Sequence, residues 1–126
     1  LSAFKIDLSK VHFIQSDFFK VDLDKGVYDF ICMGEVLEHV NDAVGFMRKA
    51  WDLLHPNGTL FVTTCANCPS IDHVYHFHNV AEICALLSEA GFKIVEDLCL
   101  PADDVPEEKW EVELTTINYC AILSKA

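Results

Sequence analysis

The chain has 126 residues, with 9 Lys+Arg against 20 Asp+Glu and a formal net charge of −11. That length suits one domain spanning 1–126, and a hydrophobic content of 52% excludes intrinsic disorder despite the acidity. No apolar run approaches the ~20 residues of a membrane span, Leu1–Lys5 does not read as a signal peptide, and the negative charge argues against nucleic acid, whose phosphates need clustered Lys and Arg. A small or neutral substrate is favoured.

Val11-His12-Phe13-Ile14-Gln15-Ser16-Asp17 predicts a short strand ending in an acid. Tyr28 to Met33 is a compact apolar run, as in a buried parallel strand, and Gly34 ends it. Glu35-Val36-Leu37-Glu38-His39-Val40 predicts a helical turn. Asn41 or Asp42 then caps a helix with Val44, Met47, Trp51 and Leu54 on one face, closed by His55-Pro56-Asn57-Gly58. Thr59 to Thr64 is a second buried strand, rich in β-branched and aromatic residues. A loop with His73, His76 and His78 leads to Asn79, the cap of a helix in which Glu82 completes a capping box and Gly91 marks the end. Lys93–Leu100 gives a third strand, Pro101–Glu113 an acidic loop, and Thr115–Ser124 the last strand. Alternating strands and helices predict an α/β fold with a mainly parallel sheet. The last two strands follow one another with no helix between, so they pair antiparallel.

The six cysteines are irregularly spaced, and Cys32 and Cys120 sit inside apolar runs. This reads as a reducing, cytoplasmic chain with free thiols. Cys65-Ala66-Asn67-Cys68 is a lone CxxC without a second pair, and is not counted as a metal or redox site.

Asp17, Gly34-Glu35 and Thr64-Cys65 stand at carboxyl ends of strands, where open α/β sheets bind ligands. Asp17 reads as an acceptor for an exocyclic amine or as a turn residue, and Gly34 as a point of close ligand approach or a plain strand terminator. Glu35, Glu38 and His39 fall at i, i+3 and i+4, on one face of a helical turn. Two carboxylates and an imidazole there suit a divalent cation: oxygen ligands favour Mg²⁺ or Mn²⁺, while the imidazole leaves Zn²⁺ or Fe²⁺ open. The alternative has His39 acting alone, as base or substrate contact. His73 is the preferred histidine of the Asp72–His78 loop to complete a metal shell or touch substrate, with a plain polar loop as the other reading. Trp51 is assigned to the helix core, Trp110 to the loop over the acceptor, and Asp103-Asp104 and Glu107-Glu108 to a solvated face.

Tyr28–Val40 resembles the fourth-strand motif of the class I S-adenosylmethionine-dependent methyltransferases, the Rossmann-like group. Phe13–Asp17 resembles the third-strand motif of that family, Leu54–Leu60 its turn into the fifth strand, and Ala85–Phe92 its helix and "AGF" before the sixth. These motifs come in family order and span nearly the whole chain. The resemblance implies S-adenosylmethionine as cofactor, held by Asp17, Phe18 and Gly34, with methyl transfer to a small-molecule acceptor, at oxygen by preference, and His39 as base. Glu-x-x-Glu-His is similar to a motif of ubiquinone-biosynthesis O-methyltransferases and small-RNA 2′-O-methyltransferases, which implies a metal at Glu35, Glu38, His39 and His73. The family also has a glycine-rich cofactor loop before its third strand. Here Gly26, Gly34, Gly45, Gly58 and Gly91 provide no G-x-G, so the family's first two strands are expected to be lacking. A partner supplying that half, or self-association through the exposed strand edge, is the expected consequence. A non-catalytic remnant completing another subunit is the alternative function; a nicotinamide binder fits Glu35–His39 poorly.

Overall fold

The computed structural model describes residue 5 and residues 7–126. Tyr28–Gly34 forms β1, Ala43–Leu53 forms α1, Leu54–Ala66 forms β2, Val80–Glu89 forms α2, Phe92–Pro101 forms β3 and Ile117–Lys125 forms β4. The sheet order is β1-β2-β4-β3. β1 and β2 are parallel, whereas β4 runs antiparallel to both β2 and β3. This is the α/β sheet with an antiparallel last strand that the sequence predicts, with β4 inserted between β2 and β3.

Each helix starts on the cap the sequence offers. The Asp42 carboxylate accepts from the Gly45 amide at 2.9 Å, and the Asn79 side chain accepts from the Glu82 amide at 2.9 Å. Glu82 reaches back to the His78 amide at 2.8 Å, one residue before the cap, so the capping box is shifted rather than reciprocal. α2 ends before Gly91, whose φ of +98° a side chain would resist. α1 stops at Leu53, and Leu54 belongs to β2, paired with Tyr28. The His55–Gly58 turn then bulges out of β2, and regular pairing resumes at Phe30–Thr59.

Both helices cover one face of the sheet. Met47 and Ala50 of α1 and Ile83 and Leu87 of α2 join Leu60, Val62, Ile117, Tyr119, Ala121 and Leu123 in a single buried cluster. The opposite face carries Phe30 (60% exposed), Leu98 and Ile122, with nothing packed on them among the described residues. Parallel sheets are normally covered on both faces, so this face is the chain's main apolar liability.

The expected strand over Val11–Asp17 does not form: these residues run as exposed chain with no strand partner. A strand needs a neighbour to satisfy its amides and carbonyls, and among the described residues β1 pairs with β2 alone, its other edge left open. No helix among the described residues is long and apolar enough to cross a membrane.

Candidate functional site

The end of β1 turns sharply at Glu35, a non-glycine residue at φ +53°. Its amide is held by Thr63 of β2, through the carbonyl at 3.0 Å and the hydroxyl at 3.2 Å. Only a short 3-10 turn follows, Leu37–His39, anchored by the fully buried Leu37. The predicted single helical face of Glu35, Glu38 and His39 is therefore corrected. Glu35 lies outside the turn, Glu38 points inward at 3% exposure, and His39 stays at the surface. They converge by another route, because the left-handed bend carries Glu35 back toward Glu38.

Buried Glu38 accepts a hydrogen bond from the Thr64 hydroxyl at 2.7 Å. Its other carboxylate oxygen lies 3.9 Å from His39 Nε2. Burial, a hydrogen bond to Glu38 and repulsion from its carboxylate raise the pKa of Glu35, while His39 and His73 oppose this. The sign follows from linkage. A carboxyl whose folded pKa lies above its ordinary 4.5 binds its proton more tightly in the folded chain, so stability falls as pH rises from about that value. Glu35→Gln is accordingly expected to match the parent chain at pH 3 and to be the more stable of the two at pH 7, as read by urea midpoints. Equal differences at both pH values would show that the Glu35 pKa is not raised in the folded chain.

The histidine loop is tied onto this turn. The amides of Val74 and Tyr75 donate to the Glu38 carbonyl at 2.9 and 3.1 Å. His39 Nδ1 lies 3.0 Å from the Asp72 carbonyl and His73 Nδ1 lies 2.5 Å from the Cys68 carbonyl. A carbonyl only accepts, so each Nδ1 carries a proton and, in the neutral ring, Nε2 is the nitrogen with the lone pair. The two rings meet edge to face at 4.9 Å, and Glu38, His39 and His73 bring potential ligand atoms within 4.8 Å of one another. His76 and His78 instead stack on each other, with His78 paired to Glu82.

Asp17 is a turn residue: its carboxylate accepts from the Phe19 amide at 2.9 Å and its carbonyl from Lys20 and Val21. Phe18 packs on Phe46 of α1 with centroids 4.9 Å apart, and Lys49 donates to the Phe18 carbonyl. Phe18, Ile31, Cys32, Met33, Val36 and Phe46 line an apolar cleft of about 340 Å³. A larger cavity of about 490 Å³, near the start of α1, includes none of the expected site residues. A Cβ on Gly34 would meet only Thr63 Oγ1, at 3.6 Å, so packing within the chain does not demand glycine there. Trp51 is half-buried as expected and donates to the Gly91 carbonyl.

Sequence reasoning set aside Cys65 and Cys68, yet the fold brings both sulfurs within 4.8 Å of a His73 ring nitrogen. The spacing C-x-x-C followed by a nearby histidine was the available signal. Burial, Cys68 and the Glu38 and Glu35 carboxylates push the Cys65 thiol up, which disfavours a free thiolate nucleophile.

An open α/β sheet with an antiparallel last strand, and polar groups gathered beyond the carboxyl ends of β1 and β2, defines the class I methyltransferase fold. Residues 2–62 match a family described as a methyltransferase domain. A putative methyltransferase from Bacillus halodurans has the same fold, with TM-score 0.67 and 11% identity over 88% of this chain and 69% of that one. The 1,6-didemethyltoxoflavin-N1-methyltransferase of Burkholderia thailandensis, solved with 1,6-didemethyltoxoflavin and S-adenosylhomocysteine, gives TM-score 0.61 and 17% identity over 90% and 51%. The [4+2]-cyclase SpnF gives TM-score 0.67 and 11% identity over 87% and 55%. The chain thus spans about half to two thirds of each of these proteins. No curated protein sequence matches it.

Proposed function

We propose that this chain is part of an S-adenosylmethionine-dependent methyltransferase that acts on a small-molecule acceptor, at oxygen, with His39 as the general base. One observation carries the reading: His39 offers a lone pair at Nε2, fixed by its Nδ1 bond to the Asp72 carbonyl, beyond the carboxyl end of β1. Methyl transfer asks the protein to align the acceptor with the methyl group and to remove one proton. In this reading Phe18 and the apolar cleft beside β1 receive the adenine, Asp17 offers its remaining carboxylate oxygen to the amine, and Gly34 leaves room for the sulfonium. The S-adenosylhomocysteine of the Burkholderia relative supports that cofactor. The match over residues 2–62 supports the reaction type, whereas the fold alone does not, since a [4+2]-cyclase shares it.

Glu35, Glu38, His39 and His73 would hold Mg²⁺ or Mn²⁺ beside the acceptor. The donor set fits, with Glu38, His39 and His73 already within reach of one ion. A bound cation would lower the pKa of the acceptor hydroxyl and relieve the repulsion between Glu35 and Glu38.

The test is transfer of a labelled methyl group from S-adenosylmethionine to a panel of small hydroxylated and aminated acceptors, by a protein containing this chain. Transfer that depends on His39 supports the reading; no transfer to any acceptor overturns it. Calorimetric titration of the 126-residue chain reads how much of the cofactor affinity these residues hold by themselves. The expected result is weak or undetectable S-adenosylmethionine binding, and micromolar affinity would contradict it. The uncovered face with Phe30, Leu98 and Ile122, together with the free edge of β1, is assigned to self-association or to a partner that completes the sheet. Light scattering that gave a concentration-independent monomer would sink that assignment.

A further inference from the structure

We propose that Cys65, Cys68 and His73 form a binding site for a thiophilic divalent cation, Zn²⁺ by preference. The site goes beyond the methyltransferase reading and does not rest on it. Cys65 is the penultimate residue of β2, and Asn67 takes a left-handed conformation at φ +51°, which asparagine tolerates better than most residues. That bend is fixed from both sides: the Asn67 amide donates to the Phe77 carbonyl at 2.8 Å, and its carbonyl accepts from the Thr116 hydroxyl at 2.7 Å. Phe77 is 2% exposed, so the turn is anchored in the core. The bend folds Cys68 back over Cys65, and the loop from Ser70 returns His73 to the same place, its amide bonded to the Ser70 carbonyl at 3.1 Å.

The three ligand atoms lie within 4.8 Å of one another. Tetrahedral zinc, with bonds of about 2.0–2.3 Å, separates its ligands by roughly 3.3–3.8 Å, so a small side-chain rotation closes the site. The second ring nitrogen of His73 is already engaged. Its Nδ1 lies 2.5 Å from the Cys68 carbonyl, the kind of outer contact that orients metal-bound histidines. Two sulfurs and an imidazole select Zn²⁺ over Mg²⁺ and Mn²⁺. The arrangement is shielded, since Cys65 is buried while Cys68 and His73 are half-buried. Binding sends the two thiol protons to solvent and leaves a fourth position. The further donors within reach of His73 are Glu38 and His39.

Titration of the 126-residue chain with Co²⁺ as a spectroscopic stand-in tests the site. The expected result is a thiolate-to-cobalt charge-transfer band that saturates at one ion per chain and is abolished by Zn²⁺. Cys68→Ser and His73→Ala each lower the affinity by at least about 100-fold, beyond the usual cost of losing an outer contact, while Cys99→Ser leaves the band in place. No band, or a band that survives Cys68→Ser and vanishes in Cys99→Ser, overturns the proposal. If a variant fails to fold, X-ray absorption of the zinc-loaded parent chain decides, with two sulfur ligands expected and none overturning it. Mn²⁺ binding that Glu38→Gln abolishes, in a chain with no thiolate band, would remove this site and leave the oxygen-ligand site of the proposed methyltransferase standing.

Discussion

If His39 is the base of the proposed methyl transfer, replacing it with alanine is expected to slow that transfer by about 10²–10⁴-fold, the usual contribution of a positioned general base, in a protein containing this chain. The loss should fall on kcat rather than on cofactor affinity, because His39 faces the Asp72–His73 loop and not the cleft that holds Phe18. The cation changes the pattern of the result. If Mg²⁺ or Mn²⁺ activates the acceptor, chelation abolishes turnover and Glu35→Gln behaves like His39→Ala. If His39 acts as the base without a metal, chelator has no effect and only His39→Ala is severe. Turnover that survives His39→Ala, Glu35→Gln and Glu38→Gln alike would make the cluster structural only.

Leu60→Ala is expected to destabilise the chain by about 2–5 kcal/mol, the range for a buried leucine that leaves a cavity. Leu60 is fully buried on β2, paired with Ile31 on one side and Leu123 on the other, so the strands around it cannot collapse easily. Phe30→Ser, on the uncovered face, should stay within about 0.5 kcal/mol, as surface changes do, and should reduce self-association. Urea unfolding monitored by circular dichroism compares the two. Similar losses would show that the open face is in fact covered.

Both expectations depend on which residues share a face, and the strand pattern made most of that legible in advance. Met33, Leu60 and Leu123 come from apolar runs bounded by glycine, proline or asparagine, and all three are buried. Asp42, Asn79 and Gly91 marked the helix ends because their chemistry is local: a side-chain oxygen within reach of an amide, and a backbone free to take positive φ. Val11–Asp17 misled for the opposite reason. Its pattern fits a strand, but a strand exists only with a neighbour, and pairing is a property of the whole sheet.

The site divides along the same line. Sequence spacing singled out Glu35, Glu38, His39 and His73 by residue type, and assigned the first three to one helical face. That periodicity presumes a regular helix, and the left-handed bend at Glu35 replaces it with a short 3-10 turn. The burial of Glu38 under Thr64 and the Nδ1 bond of His39 to the Asp72 carbonyl come from contacts between segments distant in the chain. Cys65, Cys68 and His73 meet within one loop, through a fold-back anchored by Phe77 and Thr116. By itself the sequence determined the α/β class, the helix caps, the buried strand β2 and the residue types of the candidate site, because propensity and periodicity act over a few neighbours. The run Tyr28–Met33, expected to be buried, is instead an edge strand of which only Met33 is buried. Only the tertiary structure decided the insertion of β4, the uncovered sheet face and the grouping of the polar side chains. Those rest on long-range packing, which local sequence does not encode.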